Sequence, residues 1–483
     1  MAALEVCVVL FAALFGLTAM AQDEPAPWAL SQVEEAGLRP LESVPEWPRE
    51  DFVLTGATVM TATGEIYSRG YVAVEQGRIT YVGAGDAPDS LAEGAIDVSG
   101  KWVTPGLIDT HSHLGVYPSP GARAHSDGNE ATEPTTPGVW AEHSFWPQDP
   151  GLQRAAQGGI TALQILPGSA NLVGGRGVVL QMLPTRGPRA MRFPGAPETL
   201  KMACGENPKR VYEGRGPSTR MGNIRGQRRV FQQAADAMEE WETYSEELAA
   251  FQEFEALSDK EQAKQRRRGT APEEPDMPSR DLDNETLIGL LHGDVLAQIH
   301  CYRADDMLSM MQMSDEFGFE IRSFHHALEA YKIRDLLVEQ DISASTWADW
   351  WGFKLEAHDA VQANAAMLHE AGGRSIIHSD SSIGIQRLNQ EASKAWRAGA
   401  AAGIELTEDD VLRWITANPA WALGIDDQVG TIEVGKRADL VVWDAHPLSV
   451  YAGADRVYVD GYLVVDEEQP NIWSDFQVGQ EVR

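Results

Sequence analysis

Gly106-Leu-Ile-Asp-Thr-His-Ser-His-Leu114 is an apolar run that ends in two histidines one residue apart. In a β-strand residues i and i+2 point to the same side, so the run predicts a short buried strand presenting His111 and His113 together. Two imidazoles held side by side are half of a metal site. Three more apolar segments end the same way: residues 295–300 (VLAQIH), 321–326 (IRSFHH) and 375–380 (SIIHSD). Four strands that each deliver a ligand-type side chain at the C-terminal end are what an active site at the top of a (β/α)8 barrel requires.

The fold class expected is therefore α/β. Between residues 105 and 424, strand-like and helix-like runs alternate as such a barrel demands. Short alternating strands with Gly turns fill 51–104, and similar pieces (ADLVVWD, DRVYVDGYLVVDE) return after residue 425. Neither set buries a face alone, so the two ends are expected to pair into one small β-sandwich, with 425–483 as its second part and tail. Residues 209–286 form an insertion, read as a helical hairpin over the barrel mouth. Its Trp241, Tyr244, Phe251 and Phe254 share one helical face and are read as packing.

The closing segment 416–444, TANPAWALGIDDQVGTIEVGKRADLVVWD, joins PGLIDTHSH at 105–113 and the later His, His and Asp in a recognisable set. From about residue 51 to about 466 the chain resembles the metal-dependent amidohydrolase superfamily, and within it secreted bacterial members similar to imidazolonepropionases and prolidase-type dipeptidases. The resemblance also implies the β-sandwich. Lys201 lies in the probable fourth strand, where a lysine pointing into a barrel is costly unless paired or modified. In binuclear relatives a lysine at this strand is carboxylated and bridges two metals, and TLKMACG at 199–205 resembles that pattern; Glu206 is the competing ligand. With the modified lysine, His111 and His113 hold one metal and His300 and His326 the other. With an unmodified lysine, one metal on His111, His113, His300 and Asp380 remains workable. Because neighbours alternate along a strand, only one of His325 and His326 is expected to face inward, and the family's usual His before a small residue favours His326.

Imidazole and carboxylate ligands without cysteine suit a divalent ion, with zinc expected. The resemblance implies that Asp380 touches both metal and water and carries the proton traffic. Arg176, in the Gly-rich 168–177, either grips a substrate carboxylate or faces solvent from a plain turn. Tyr302 and Arg303 follow a ligand at a strand top and are candidate substrate contacts, although Arg303 has Asp305 and Asp306 as alternative partners. His378 faces the same way as Asp380, as a substrate contact or a hydrogen-bonded structural histidine. The indoles of 346–352 are expected to wall the pocket. The expected activity is hydrolysis of an amide or cyclic amide, such as a short peptide or N-acyl amino acid. Deamination of a ring substrate and a non-catalytic exported binding protein are the alternatives.

The chain has 483 residues, 43% of them hydrophobic, enough for a large core. Its formal charge of -33, from 39 Lys and Arg against 72 Asp and Glu, disfavours nucleic-acid and anionic-membrane partners and leaves a small-molecule substrate; homo-oligomerisation stays open. Residues 6–17 are apolar and Ala19-Met-Ala21 precedes a polar stretch, so 1–21 reads as a signal peptide and the chain as exported, periplasmic or extracellular. Glu5, rather than Lys or Arg, precedes the run, which is shorter than the roughly 18 residues of a membrane span. Residues 22–50 read as an irregular lead-in, and Cys204 and Cys301 as buried free thiols.

Overall fold

The computed structural model describes Arg49 and residues 51–468, so the signal peptide at 1–21, the lead-in apart from Arg49 and the tail after 468 lie outside the described residues. Five strands open the described chain: β1 (Phe52–Met60), β2 (Ile66–Glu75), β3 (Arg78–Ala84), β4 (Ile96–Asp97) and β5 (Trp102–Pro105). Eight follow as the barrel sheet: β6 (Leu107–Ser112), β7 (Ile160–Ile165), β8 (Val173–Gln181), β9 (Glu198–Ala203), β10 (Val295–Cys301), β11 (Ile321–His326), β12 (Ser343–Thr346) and β13 (Ser375–Ile377). They lie side by side in chain order. β14 (Leu440–Trp443), β15 (Ala454–Val459) and β16 (Tyr462–Asp466) return to the first sheet.

Barrel strands are covered on both faces, which is why β6, β7 and β8 are buried along their whole length. One of them breaks the all-parallel rule: β8 runs antiparallel to both β7 and β9. Only residues 166–172 join β7 to β8, too few for the crossover of a dozen or more residues that a parallel neighbour needs. The seam between β13 and β6 is closed by backbone bonds. Ile108 N–H donates to Ile415 O (2.9 Å), Ile377 N–H to Trp414 O (3.0 Å) and Asp380 N–H to His111 O (2.9 Å).

The two ends of the chain meet where β14 pairs antiparallel with β5, Trp443 opposite Trp102 and Leu440 opposite Pro105. The sheet order is β16-β15-β14-β5-β1-β2-β3, with β4 on β1. Phe52 on β1 and Tyr458 on β15 stack with ring centroids 4.3 Å apart. In a flat sheet those strands would stand three spacings, about 14 Å, apart. The sheet therefore curls over a core of its own that includes Leu54, Val59, Val72, Ile432 and Leu440. The small sandwich is one continuous sheet folded on itself.

The insertion carries the helices Arg220–Glu255 and Asp259–Arg268. The first turns of the long helix are tied to the end of β9, through Asn223 donating to Gly205 O (2.8 Å) and Gln227 to Ala203 O (3.1 Å). Arg220 pairs with Asp306 (3.0 Å) and with Glu356. Farther along, Phe231 stacks on Phe319 (4.8 Å) and Arg228 pairs with Glu316, so the helix runs along the barrel's outer helices. Its beginning thus stands beside the strand ends, and its later turns pack on the barrel's outer elements. Trp241 and Phe254 are buried as packing residues.

Cys204 and Cys301 form a disulfide, which corrects the expectation of free thiols. Cys204 directly follows β9 and Cys301 ends β10, and the register of these neighbouring parallel strands brings their Cα atoms to 5.4 Å.

Candidate metal centre

The barrel strands deliver His111, Lys201, His300 and His326 to one buried cluster, with His113 and Asp380 half-open at its rim. His113 Nδ1 lies 2.9 Å from Leu166 O; a carbonyl only accepts, so Nδ1 carries the proton and Nε2 is bare. That Nε2 lies 3.2 Å from His111 Nε2 and 3.2 Å from Asp380 Oδ1. Asp380 Oδ1 is also 3.7 Å from His111 Nε2, and Oδ2 is 4.0 Å from His326 Nδ1. Atoms of one sign crowded this closely call for a cation among them. The 3.2 Å spacing suits two nitrogens each bound at about 2.0–2.1 Å to one ion.

Other donors are left over in the same place. Neither ring nitrogen of His300 has a hydrogen-bond partner, nor has His326 Nδ1 or His378 Nδ1. Two sets of ligand atoms converge closely enough for an ion: His111, His113 and Asp380, and His111, His326 and His378. Burial first, then neighbouring cations, holds His111, His300 and His326 far below the usual imidazole range, so they are neutral as ligands must be. Burial alone would raise Asp380, but the polar and cationic surroundings of the cluster, Lys201 among them, hold it below the ordinary carboxylate range.

Lys201 is fully buried, and burial lowers it to about 7. Its Nζ donates to Pro167 O (3.0 Å) and stands 3.4 Å from His111 Nε2. Glu206, the competing ligand, instead opens the short helix Glu206–Val211, 3.6 Å from Lys354 Nζ. A lysine that exchanges its proton near neutrality is a nucleophile for carbon dioxide, the reaction that makes a carbamate.

His325 and His326 both face the cluster, contrary to the expectation that alternation admits only one. His325 takes the regular inward position, opposite His300 in the strand register. His326 has φ 68°, a left-handed conformation that swings its ring to 4.5 Å from His300 and 4.8 Å from His111. Asp380 has φ 46° for the same end. Its loop is held by Asp109, which accepts from Ser379 N–H (3.0 Å), Ser379 Oγ–H and His111 N–H (3.1 Å). His378 Nε2 accepts from His326 N–H (3.2 Å).

The remaining candidates divide. Tyr302 joins the cluster, its ring 4.7 Å from His300 and stacked at 5.1 Å on His326. Trp347 stacks on His326 at 4.3 Å and Trp350 on Trp347 at 4.7 Å, so indoles do wall one side. Arg176 is elsewhere: β8 pairs Gly175, not Arg176, with Lys201, and alternation turns Arg176 outward. There its Nε donates to Thr286 Oγ1 (2.9 Å) and its guanidinium covers Trp140 (4.5 Å). Arg303 forms a two-pronged pair with Asp305, both contacts 2.8 Å, and stands half-open outside the cluster. Gln298 and Asp109 escaped the sequence reading. Each lies two residues before a candidate ligand in a buried strand, and that spacing was the available signal.

Residues 282–465 match the family model described as the Amidohydrolase family. The chain is 32% identical over 422 residues to the amidohydrolase tasK of Hapsidospora irregularis, which covers 82% of this chain but 40% of that protein; the chain thus spans less than half of that relative's length. It is 24% identical over 415 residues to a 5-methylthioadenosine/S-adenosylhomocysteine deaminase of Symbiobacterium thermophilum, covering 82% of this chain and 86% of that one. A solved amidohydrolase from Thermotoga maritima MSB8 superposes with TM-score 0.72 at 34% identity, covering 86% of this chain and 100% of that one. With all of that protein matched at this identity, the chain belongs to the amidohydrolase family.

Proposed function

We propose that the protein hydrolyses an amide or cyclic-amide C–N bond with the help of one or two divalent ions, zinc first among them. The observation that carries this is the pair of imidazole Nε2 atoms of His111 and His113, 3.2 Å apart beside Asp380. His111, His113, His300, His326, Lys201 and Asp380 would hold the ions, with Lys201 as a carbamate if there are two. When bound, such an ion polarises the scissile carbonyl and lowers the pKa of water from about 15.7 to near 7.

The chain's own residues do the rest. Asp380, kept ionised, takes the proton of the attacking water as the new C–O bond forms and delivers it to the amine as the C–N bond breaks. Tyr302, raised by burial first and then by Asp380 and Glu356, keeps its proton and offers a hydroxyl donor next to His326. Trp347 and the ring of Tyr302 exclude water from one flank. The deaminase-named relative supports a second reading, in which the same residues serve attack on a ring carbon and release ammonia.

Metal analysis and a substrate panel test this. The purified protein should carry one to two equivalents of divalent metal, chelation should abolish turnover, and short peptides or N-acyl amino acids should yield a new amine. Full activity in metal-free protein would refute the reading; ammonia in place of a new amine would favour the second one.

We further propose that the protein is exported. The Cys204–Cys301 disulfide supports this, because such bonds persist in oxidising compartments. Among the described residues no helix is long and apolar enough to cross a membrane. Protein from the native host should begin at or near Gln22, whereas an intact Met1 on soluble cytoplasmic protein would reject export.

A further inference from the structure

We propose that Gln298 and His325 are positioning residues that fix the tautomer of His111, so that its Nε2 meets the metal without a proton; this rests on the metal-centre reading above. A chain of bonds runs from Ala422 to His111. Gln298 Nε2 donates to Ala422 O (3.0 Å), and because a carbonyl only accepts, the orientation of the amide is settled. Its Oε1 is then turned towards His325 Nε2, 2.6 Å away, and that nitrogen must carry the hydrogen. His325 is fully buried with no carboxylate against it, so it holds one proton, and its Nδ1 is left as an acceptor. His325 Nδ1 lies 3.0 Å from His111 Nδ1, which therefore donates. His111 Nε2 is left bare.

Lys201 agrees with this assignment, since its Nζ, a donor, stands 3.4 Å from His111 Nε2. The opposite tautomer would put a hydrogen into the 3.2 Å between His111 Nε2 and His113 Nε2, where the ion belongs. His113 needs no such relay, because Leu166 O fixes it directly (2.9 Å). The four members sit on the helix Ala417–Ala422, β10, β11 and β6. The closing NPAWALG segment is thereby connected to the metal centre by polar bonds through the barrel interior.

The test is zinc affinity, measured by competition with a chromogenic chelator on metal-free protein, alongside its thermal unfolding. Outer partners of ligating histidines typically contribute about 10–100-fold in affinity, and that is the loss expected in His325→Leu and Gln298→Met, which remove the acceptors. In His325→Asn the amide oxygen can take the place of Nδ1, and affinity should stay with wild type. If His325→Leu does not fold, Gln298→Met decides. Wild-type affinity in Gln298→Met, or equal losses in His325→Asn and His325→Leu, would overturn the relay and leave the metal centre standing. Failure of the wild-type protein to bind zinc would overturn both.

Discussion

Three residues at the cluster, His326, Ala327 and Asp380, adopt positive φ without being glycine, a conformation that typically costs about 1–3 kcal/mol each. The surrounding bonds impose it, and the result is a convergence of candidate ligands that regular strands would not give. Asp380→Asn keeps the shape and removes the base, so kcat should fall by about 10²–10⁴ while the circular dichroism spectrum is unchanged. A fall of less than tenfold would assign the proton to another group. Lys201→Ala should lose about half of the metal or more if a carbamate bridges two ions, with partial recovery by added short carboxylic acids. Wild-type metal content in that variant would make the site mononuclear. At this scale the sequence was informative where a candidate ligand stands at or just beyond the end of a strand, as at His111, His300 and Asp380. The family pattern singled out His326, but that His325 also faces the cluster was not legible, because it depends on backbone strain that breaks alternation at His326, and sidedness was left open where it depends on register, as at Arg176.

Elements differ in how openly they announce themselves. β6 and β10 are legible because each opens on apolar residues and carries a histidine next to its last residue, whereas the direction of β8 is set by the brevity of 166–172, which a strand-and-helix pattern leaves unread. The insertion helix was legible as a helix, but its course follows from contacts of Phe231 and Asn223 with distant elements. β14 offers the clearest energetic test. Trp443 is buried to 1% exposure, donates Nε1–H to Thr104 Oγ1 (2.9 Å) and packs against Gly159, where a Cβ would meet its ring at 2.9 Å. Trp443→Ala should therefore destabilise the fold by about 3–5 kcal/mol, read from urea unfolding. A change under about 1 kcal/mol would mean that the strand pairing bears little of the load.

Across the whole molecule, buried neutral histidines make stability depend on pH. His111, His300, His325 and His326 lie far below the usual range, and His378 falls to about 3, with burial the leading cause throughout. The unfolded chain takes up these protons near pH 6.5 and the folded one does not, so stability rises with pH through that point and is lost below it. Metal-free protein should melt progressively lower from pH 7 to pH 5.5, by up to about 1.4 kcal/mol per histidine per pH unit. A flat profile would mean that these rings titrate normally. The overall plan was legible because both ends carry matching alternation, while the continuity of their sheet depends on a pairing that no local pattern contains. That pairing joins Trp443 to Thr104 across 339 residues. On a ribosome adding about 5–20 residues per second, the first half of the sheet waits roughly 17–70 s for its partner strand. Through that interval the edge of β5 stands open to any passing strand, so the newborn chain depends on protection that the finished protein no longer needs.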